Sequence, residues 1–249
     1  MDLLLSTSFF LDAKDKNRAP TSSYPARAPQ RLDICKKNRL NVSKISLKGK
    51  MLKISAILLG AGQSTRMGDN KLLLPWRKKT VLERCLDTLL RSQVREVIVV
   101  LGERTQDLRS RLQGPRVKVV INLQAREGMS TSIRKGLHHV APDSRGILIA
   151  LGDQPLIQTR TVDALIRAFT RKKGRMIVPS YRGRQGNPVL FDRQYEKELL
   201  RLRRDVGGRS ILQKYPRDVF KVRIRSDSVI KDMDTWEQYG ALKLRHSAR

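Results

Sequence analysis

The run ISAILLGAGQSTRMGDNKLLLP, residues 54–75, decides the fold. Its apolar, branched start (Ile54, Ile57, Leu58, Leu59) reads as a buried strand that Gly60 and Gly62 end abruptly. Polar and cationic residues follow in close order: Ser64, Thr65, Arg66, Gly68 and Lys71. Glycines let backbone N–H groups turn inward around an anion, because a Cβ would block either the dihedrals or the approach. Arg66 offers a planar fork for phosphate oxygens, and Lys71 a movable point charge. A strand feeding such a loop suits a nucleoside triphosphate. Two familiar phosphate loops do not fit. A dinucleotide fingerprint starting at Gly60 needs glycine where Thr65 stands, and a Walker loop needs glycine before Lys71 and Ser or Thr after it. An ordinary turn with solvated charges would explain a lone GxG, but not a strand, three glycines, Arg66 and Lys71 within one segment.

Outward from this stretch, strand and helix patterns alternate. Buried-strand runs lie at 54–59, 97–101, 117–121 and 147–151, with helical spacing at 80–92, 105–112 and 129–140. A further helix is expected over 159–171 with Thr159 as its N-cap. Shorter strand-like pieces follow at 176–179, 189–191 and 219–224. Such alternation predicts an α/β fold, Rossmann-like, with a mostly parallel sheet flanked by helices. Ligands of such sheets sit outside the carboxyl ends of the strands. The Gly60 loop and Asp153 each follow a strand directly, so they converge on one crevice. Beside a phosphate loop a carboxylate repels unless a divalent cation lies between; Mg2+ takes one or two carboxylates plus substrate phosphates, which makes Asp153 a candidate ligand. A turn-forming aspartate is the plainer alternative.

The whole chain of 249 residues carries a formal charge of +29, and residues 1–50 contribute only +7 of it. Such a balance suits anionic ligands. Aromatic residues make up 5% and do not alternate with basic ones, so nucleic-acid binding is expected to be incidental. Cys35 and Cys85 are too few for a disulfide framework, which points to a reducing, cytoplasmic location. No run is apolar enough to span a membrane, and residues 3–11 make a poor signal peptide. Residues 1–50, with Pro20, Pro25 and Pro29 and little periodicity, read as a disordered or mis-assigned basic extension ahead of Met51. The functional domain is expected over 51–240 and a basic tail over 241–249.

Six segments resemble the nucleotidyltransferases that act on molybdenum cofactor, in the order that family has them. The opening stretch is similar to LAAGxSxRMGxxKLLLP, departing only at Gly60, where the family usually has Ala. Residues 126–134 resemble GMSSSLRAG, 152–156 the DQPL motif, 183–191 GxxGxPVLF, 205–212 GDxGARxLL, and 232–235 DIDTPED with Trp236 in place of proline. The resemblance implies the nucleotide-diphospho-sugar transferase fold and a transfer of CMP from CTP to the phosphate of molybdopterin, with pyrophosphate leaving. It assigns the nucleotide to Leu59, Gly60, Ala61, Gly62, Ser64, Arg66, Gly68, Lys71, Ser130 and Ser132, and the acceptor to Arg184, Gly186, Asn187 and Pro188. Arg66, Lys71 and Asp153 would carry catalysis. Mg2+ would be held by Asp153 with Asp232 preferred as second ligand; Asp234 lies on the same face of the extended segment and is also expected to cap the next helix. Ala61 favours CTP over GTP, since LAAG accompanies CTP and LAGG GTP in the family.

A phosphate nucleophile is already ionised at neutral pH and needs no general base. That agrees with the placing of His138, His139 and His246 at a helix end and in the tail. A molybdenum hydroxylase or its chaperone would receive the product. The competing readings are a GTP-dependent guanylyltransferase, a transferase for another small phosphate, a cofactor-delivery protein that does not catalyse, and a nucleic-acid-binding protein.

Overall fold

The computed structural model describes residues 52–62 and 70–247. The expectations for residues 1–51, and for Ser64, Arg66 and Gly68, lie outside the described residues.

The strands are β1 (Ile54–Gly60), β2 (Pro75–Trp76), β3 (Lys79–Thr80), β4 (Glu96–Leu101), β5 (Val117–Ile121), β6 (Gly146–Leu151), β7 (Met176–Tyr181), β8 (Arg184–Gln185), β9 (Val189–Asp192) and β10 (Val219–Arg223). The helices are α1 (Val81–Leu90), α2 (Met129–Leu137), α3 (Thr159–Thr170), α4 (Glu196–Leu200), α5 (Arg209–Lys214) and α6 (Trp236–Ser247). The main sheet has eight strands in the order β10-β7-β9-β6-β1-β4-β5, with β8 paired to β7. Strands β6, β1, β4 and β5 are mutually parallel, whereas β9 pairs antiparallel with both β6 and β7. Strands β2 and β3 form a separate antiparallel ribbon.

Both faces of the sheet are covered, as continuous apolar strands require. Ala56 and Leu58 of β1 join α1 and α3 in one core layer, while Ile57 and Leu59 join α2, α4 and α5 in the other. Helix α1 starts at a capping box: Thr80 Oγ1 accepts from the Glu83 N–H at 3.3 Å, and Glu83 accepts from the Thr80 N–H at 2.6 Å. A third, small cluster joins Trp76 of the ribbon to Met233, Tyr239 and Leu242. The Tyr239 hydroxyl donates to the Pro75 carbonyl at 2.6 Å. Helix α6 thus continues through Ser247 with Leu242 buried, so residues 241–247 are helix where a tail was expected.

Two local expectations are corrected. The segment read as a helix over 105–112 is a 3-10 turn, Glu103–Ser110. Its charged residues leave Leu108 and Leu112 as the buried apolar side chains among the described residues, too narrow an apolar face to hold an α-helix. Thr159 is the first helical residue, and Gln158 occupies the N-cap position. The Thr159 hydroxyl is spent on the Thr88 carbonyl at 3.2 Å, tying α3 to α1.

Candidate active site

The carboxyl ends of β1 and β6 lie side by side, stitched where the Gly152 N–H donates to the Leu59 carbonyl at 2.9 Å. Ala61 and Gly62 continue from β1, and Asp153 follows β6. Lys71 is set by its neighbours: Leu72 is buried, its N–H donates to Asn70 Oδ1 at 3.2 Å, and its carbonyl accepts from Leu82 at 3.2 Å. The Lys71 ammonium therefore faces Asp153, with Nζ 2.6 Å from Asp153 Oδ2 and 2.6 Å from Asp234 Oδ1.

These groups line a cavity of about 770 Å³, together with Leu59, Ala61, Gly62, Ser132, Arg204 and Asp232. Gly60 and Ser130 are buried and do not line it. Instead, the Gly60 carbonyl accepts from Thr105 Oγ1 at 2.9 Å. A smaller recess of about 210 Å³ opens from the same Ala61–Gly62 wall towards Gly102, Glu103, Asn122 and Leu123. Asn122 Nδ2 donates to Thr131 Oγ1 and Ser132 Oγ, each at 2.9 Å, fixing the recess to the first turn of α2. Sequence reasoning missed this recess, although Asn122 follows β5 as directly as Asp153 follows β6.

A second cavity of about 420 Å³ is lined by Gly186, Asn187, Val189, Phe191, Val206 and Arg209, and shares Met129, Leu151 and Asp205 with the first. Of the expected acceptor residues it holds Gly186 and Asn187 only. Arg184 is exposed on β8, and Pro188 backs a small internal space beside Cys85. Gly186 is required by close approach, since a Cβ there would lie 1.9 Å from the Val229 carbonyl oxygen.

Asp234 does not cap α6. Thr235 does so, its Oγ1 accepting from the Gln238 N–H at 3.2 Å while Gln238 Oε1 accepts from the N–H groups of Asp234 and Thr235. The Asp234 carboxylate is left for Lys71, and Asp232 Oδ1 accepts from Gln154 Nε2 at 2.6 Å. Among the described residues no three His, Cys, Asp or Glu side chains gather as a metal cluster. The donor set still fits a hard divalent ion, which needs only one or two carboxylates when substrate phosphates complete its shell. Asp153 Oδ1 is buried without a partner, as a vacant ligand oxygen would be. Burial pushes the Asp153 carboxyl up, Lys71 only partly offsets this, and Asp232 and Asp234 add to the rise. Burial also works against the Lys71 ammonium, yet Asp153 and then Asp234 hold it above its ordinary value. The site is therefore short of positive charge with Lys71 alone.

Cys85 donates its thiol to the Gly152 carbonyl at 3.3 Å, and burial pushes its pKa far up, so it is an inert wall residue. His138 and His139 close α2, and neither lines the cavities.

A crevice at the ends of parallel strands, with an ammonium among carboxylates inside it, suits the phosphates of a nucleotide and a divalent ion. The chain belongs to the family described as the MobA-like NTP transferase domain, which matches residues 56–219. Nicotine blue oxidoreductase of Paenarthrobacter nicotinovorans is 30% identical over 194 residues, covering 74% of this chain and 94% of its own. Molybdenum cofactor cytidylyltransferase of Escherichia coli K12 is 26% identical over 198 residues, covering 79% and 99%. A manganese complex of Rv0371C from Mycobacterium tuberculosis H37Rv superposes with a TM-score of 0.67 at 28% identity, covering 78% of this chain and 98% of that one.

Proposed function

We propose that this enzyme transfers CMP from CTP to the terminal phosphate of molybdenum-bearing molybdopterin. A phosphate oxygen of the acceptor forms a bond to the α-phosphorus, the bond from that phosphorus to the bridging oxygen breaks, and pyrophosphate leaves with the electron pair. The observation that carries this reading is the pair of cavities meeting at Met129, Leu151 and Asp205, with Lys71 and Asp153 in the larger one. One cavity suits a triphosphate, and the other an acceptor with an apolar body and polar edges.

No residue needs to take a proton. Lys71, together with Arg66 of the matching motif, holds phosphate oxygens and offsets charge that builds on the leaving group. Asp153 and Asp234 orient Lys71 and form the carboxylate pair for Mg2+, with Asp232 beside them. When bound, the ion would be held by these carboxylates and would supply positive charge against that of the phosphates. The recess at Ala61, Gly102 and Asn122 receives the nucleobase. Ala61 and the cytidylyltransferase among the relatives support CTP as the donor. Positioning supplies the remainder of the rate. The test is pyrophosphate release by the purified protein with Mg2+ and molybdenum-bearing molybdopterin, taking each of the four triphosphates in turn. Release with CTP is expected; release with GTP alone would transfer the reading to guanylyl transfer. Binding of the acceptor without release would make this a delivery protein.

A further inference from the structure

Arg204 stands in the left-handed region at φ 57°, where a side chain is disfavoured and glycine is at home. Three contacts hold it there. Its carbonyl accepts from the Ser130 N–H at 3.2 Å, and Asp205 Oδ1 accepts from the Met129 N–H at 3.2 Å. Gly128 lies so close that a Cβ on it would come within 2.4 Å of the Arg204 carbonyl carbon. The peptide of residues 204–205 is thus locked over the start of α2. Arg77, Lys172 and Arg182 also stand at positive φ; what sets Arg204 apart is that its peptide is locked at the wall of the larger cavity. Residue 204 lines the larger cavity, it is exposed, and its guanidinium makes no hydrogen bond or ion pair with the described residues. Arg126, which lines the same cavity, pairs with Glu103 at 3.3 Å, and Arg203, next to Arg204 in the chain, donates to backbone carbonyls.

The position within the cavity indicates the ligand. Asp205, next in the chain, belongs to the wall shared by both cavities, and Val206 to the second cavity alone. An acceptor seated in the second cavity reaches the triphosphate only across this wall. A phosphate that crosses at Asp205 passes beside residue 204, which lines the triphosphate side of that wall. A guanidinium fork binds a phosphate through parallel charge-assisted hydrogen bonds, which also fix orientation. We propose that Arg204 binds the phosphate monoester of the acceptor at the boundary between the two cavities and sets specificity for a phosphorylated second substrate.

This rests on the nucleotidyl-transfer reading, and two measurements separate them. In steady-state kinetics of the full chain, Arg204→Gly should melt no lower than the wild type, because glycine relieves the backbone. Its acceptor KM should rise about tenfold or more while the CTP KM changes by less than about twofold. Arg204→Lys, with a point charge for the fork, should fall between. An unchanged acceptor KM overturns the proposal, and so does a rise confined to the CTP KM, which would give the guanidinium to the triphosphate. If the wild type releases no pyrophosphate, the functional reading fails and calorimetric titration with inorganic phosphate decides this proposal alone. Weaker binding by Arg204→Gly supports it; equal binding, or none by the wild type, overturns it.

Discussion

Lys71 serves two carboxylates with one ammonium, which sets what single substitutions at the site do. Lys71→Ala removes the cation that faces the phosphates and should lower turnover with CTP by about 10²–10³. Its melt, followed by circular dichroism with Mg2+ present, should stay cooperative, since the lost atoms face a cavity. Near-normal turnover would show that Lys71 serves the fold alone. The three aspartates should separate by role. Asp153→Asn should raise the Mg2+ needed for half-maximal rate most, because its free oxygen is buried and its other oxygen holds Lys71. Asp234→Asn comes second, since it shares Lys71 but is more exposed. Asp232→Asn should be mildest, as an amide oxygen still accepts from Gln154. Initial rates against Mg2+ check the order, and an Asp232→Asn defect exceeding the others would contradict it.

Glu96 ties the amino ends of three strands together, far from the crevice. Its Oε1 accepts from Ser55 Oγ of β1 at 2.6 Å and from the Ala141 N–H at 2.8 Å, and Lys118 of β5 lies 2.8 Å from Oε2. Burial would raise this carboxyl, but Lys118, Ser55 and Ala141 together hold it below its ordinary 4.5. A lowered carboxyl stabilises the fold above its unfolded-state pKa, and that contribution is lost as pH falls through the folded one. Glu96→Gln should therefore cost about 1–3 kcal/mol at neutral pH, flatten the acid limb of a melting-temperature profile, and leave turnover unchanged. Helix α6 works the other way, on the site itself. Tyr239→Ala removes the hydroxyl bond to Pro75 and the contact with Trp76, whose ring centroid is 6.5 Å away. A loss of about 3–5 kcal/mol in denaturant unfolding is expected, together with a higher Mg2+ requirement as residues 232–234 lose their seat. These elements also show what the sequence discloses. Strands β1, β4 and β6 announce themselves because both their faces are apolar, and the ends of β1 and β6 point to the crevice before any coordinates exist. Caps are less legible. Asp234 and Thr235 are both good capping residues, and the choice falls to Thr235 because Lys71, distant in sequence, claims Asp234. Nothing in the local sequence marks Arg204, since its place comes from contacts of its peptide with Gly128 and the start of α2, distant in sequence.

At the scale of the molecule, the charge of +29 creates a field that favours anionic substrates and fades with salt. The KM for CTP should therefore rise between low and physiological ionic strength, while kcat changes little. Residues 1–50 carry no periodic apolar face of the kind a core needs. A chain of residues 51–249 should then keep the turnover of the whole; an inactive truncation would show that residues 1–50 take part. No described helix is long and apolar enough to cross a membrane. The central claim is that two adjoining cavities bring a triphosphate and a phosphorylated acceptor together for transfer. Its most direct test is pyrophosphate release measured with CTP, Mg2+ and molybdenum-bearing molybdopterin, each component omitted in turn. The account predicts pyrophosphate equal to the cytidylylated acceptor formed, and none when any component is missing. Acceptor bound with no pyrophosphate from any of the four triphosphates would contradict it.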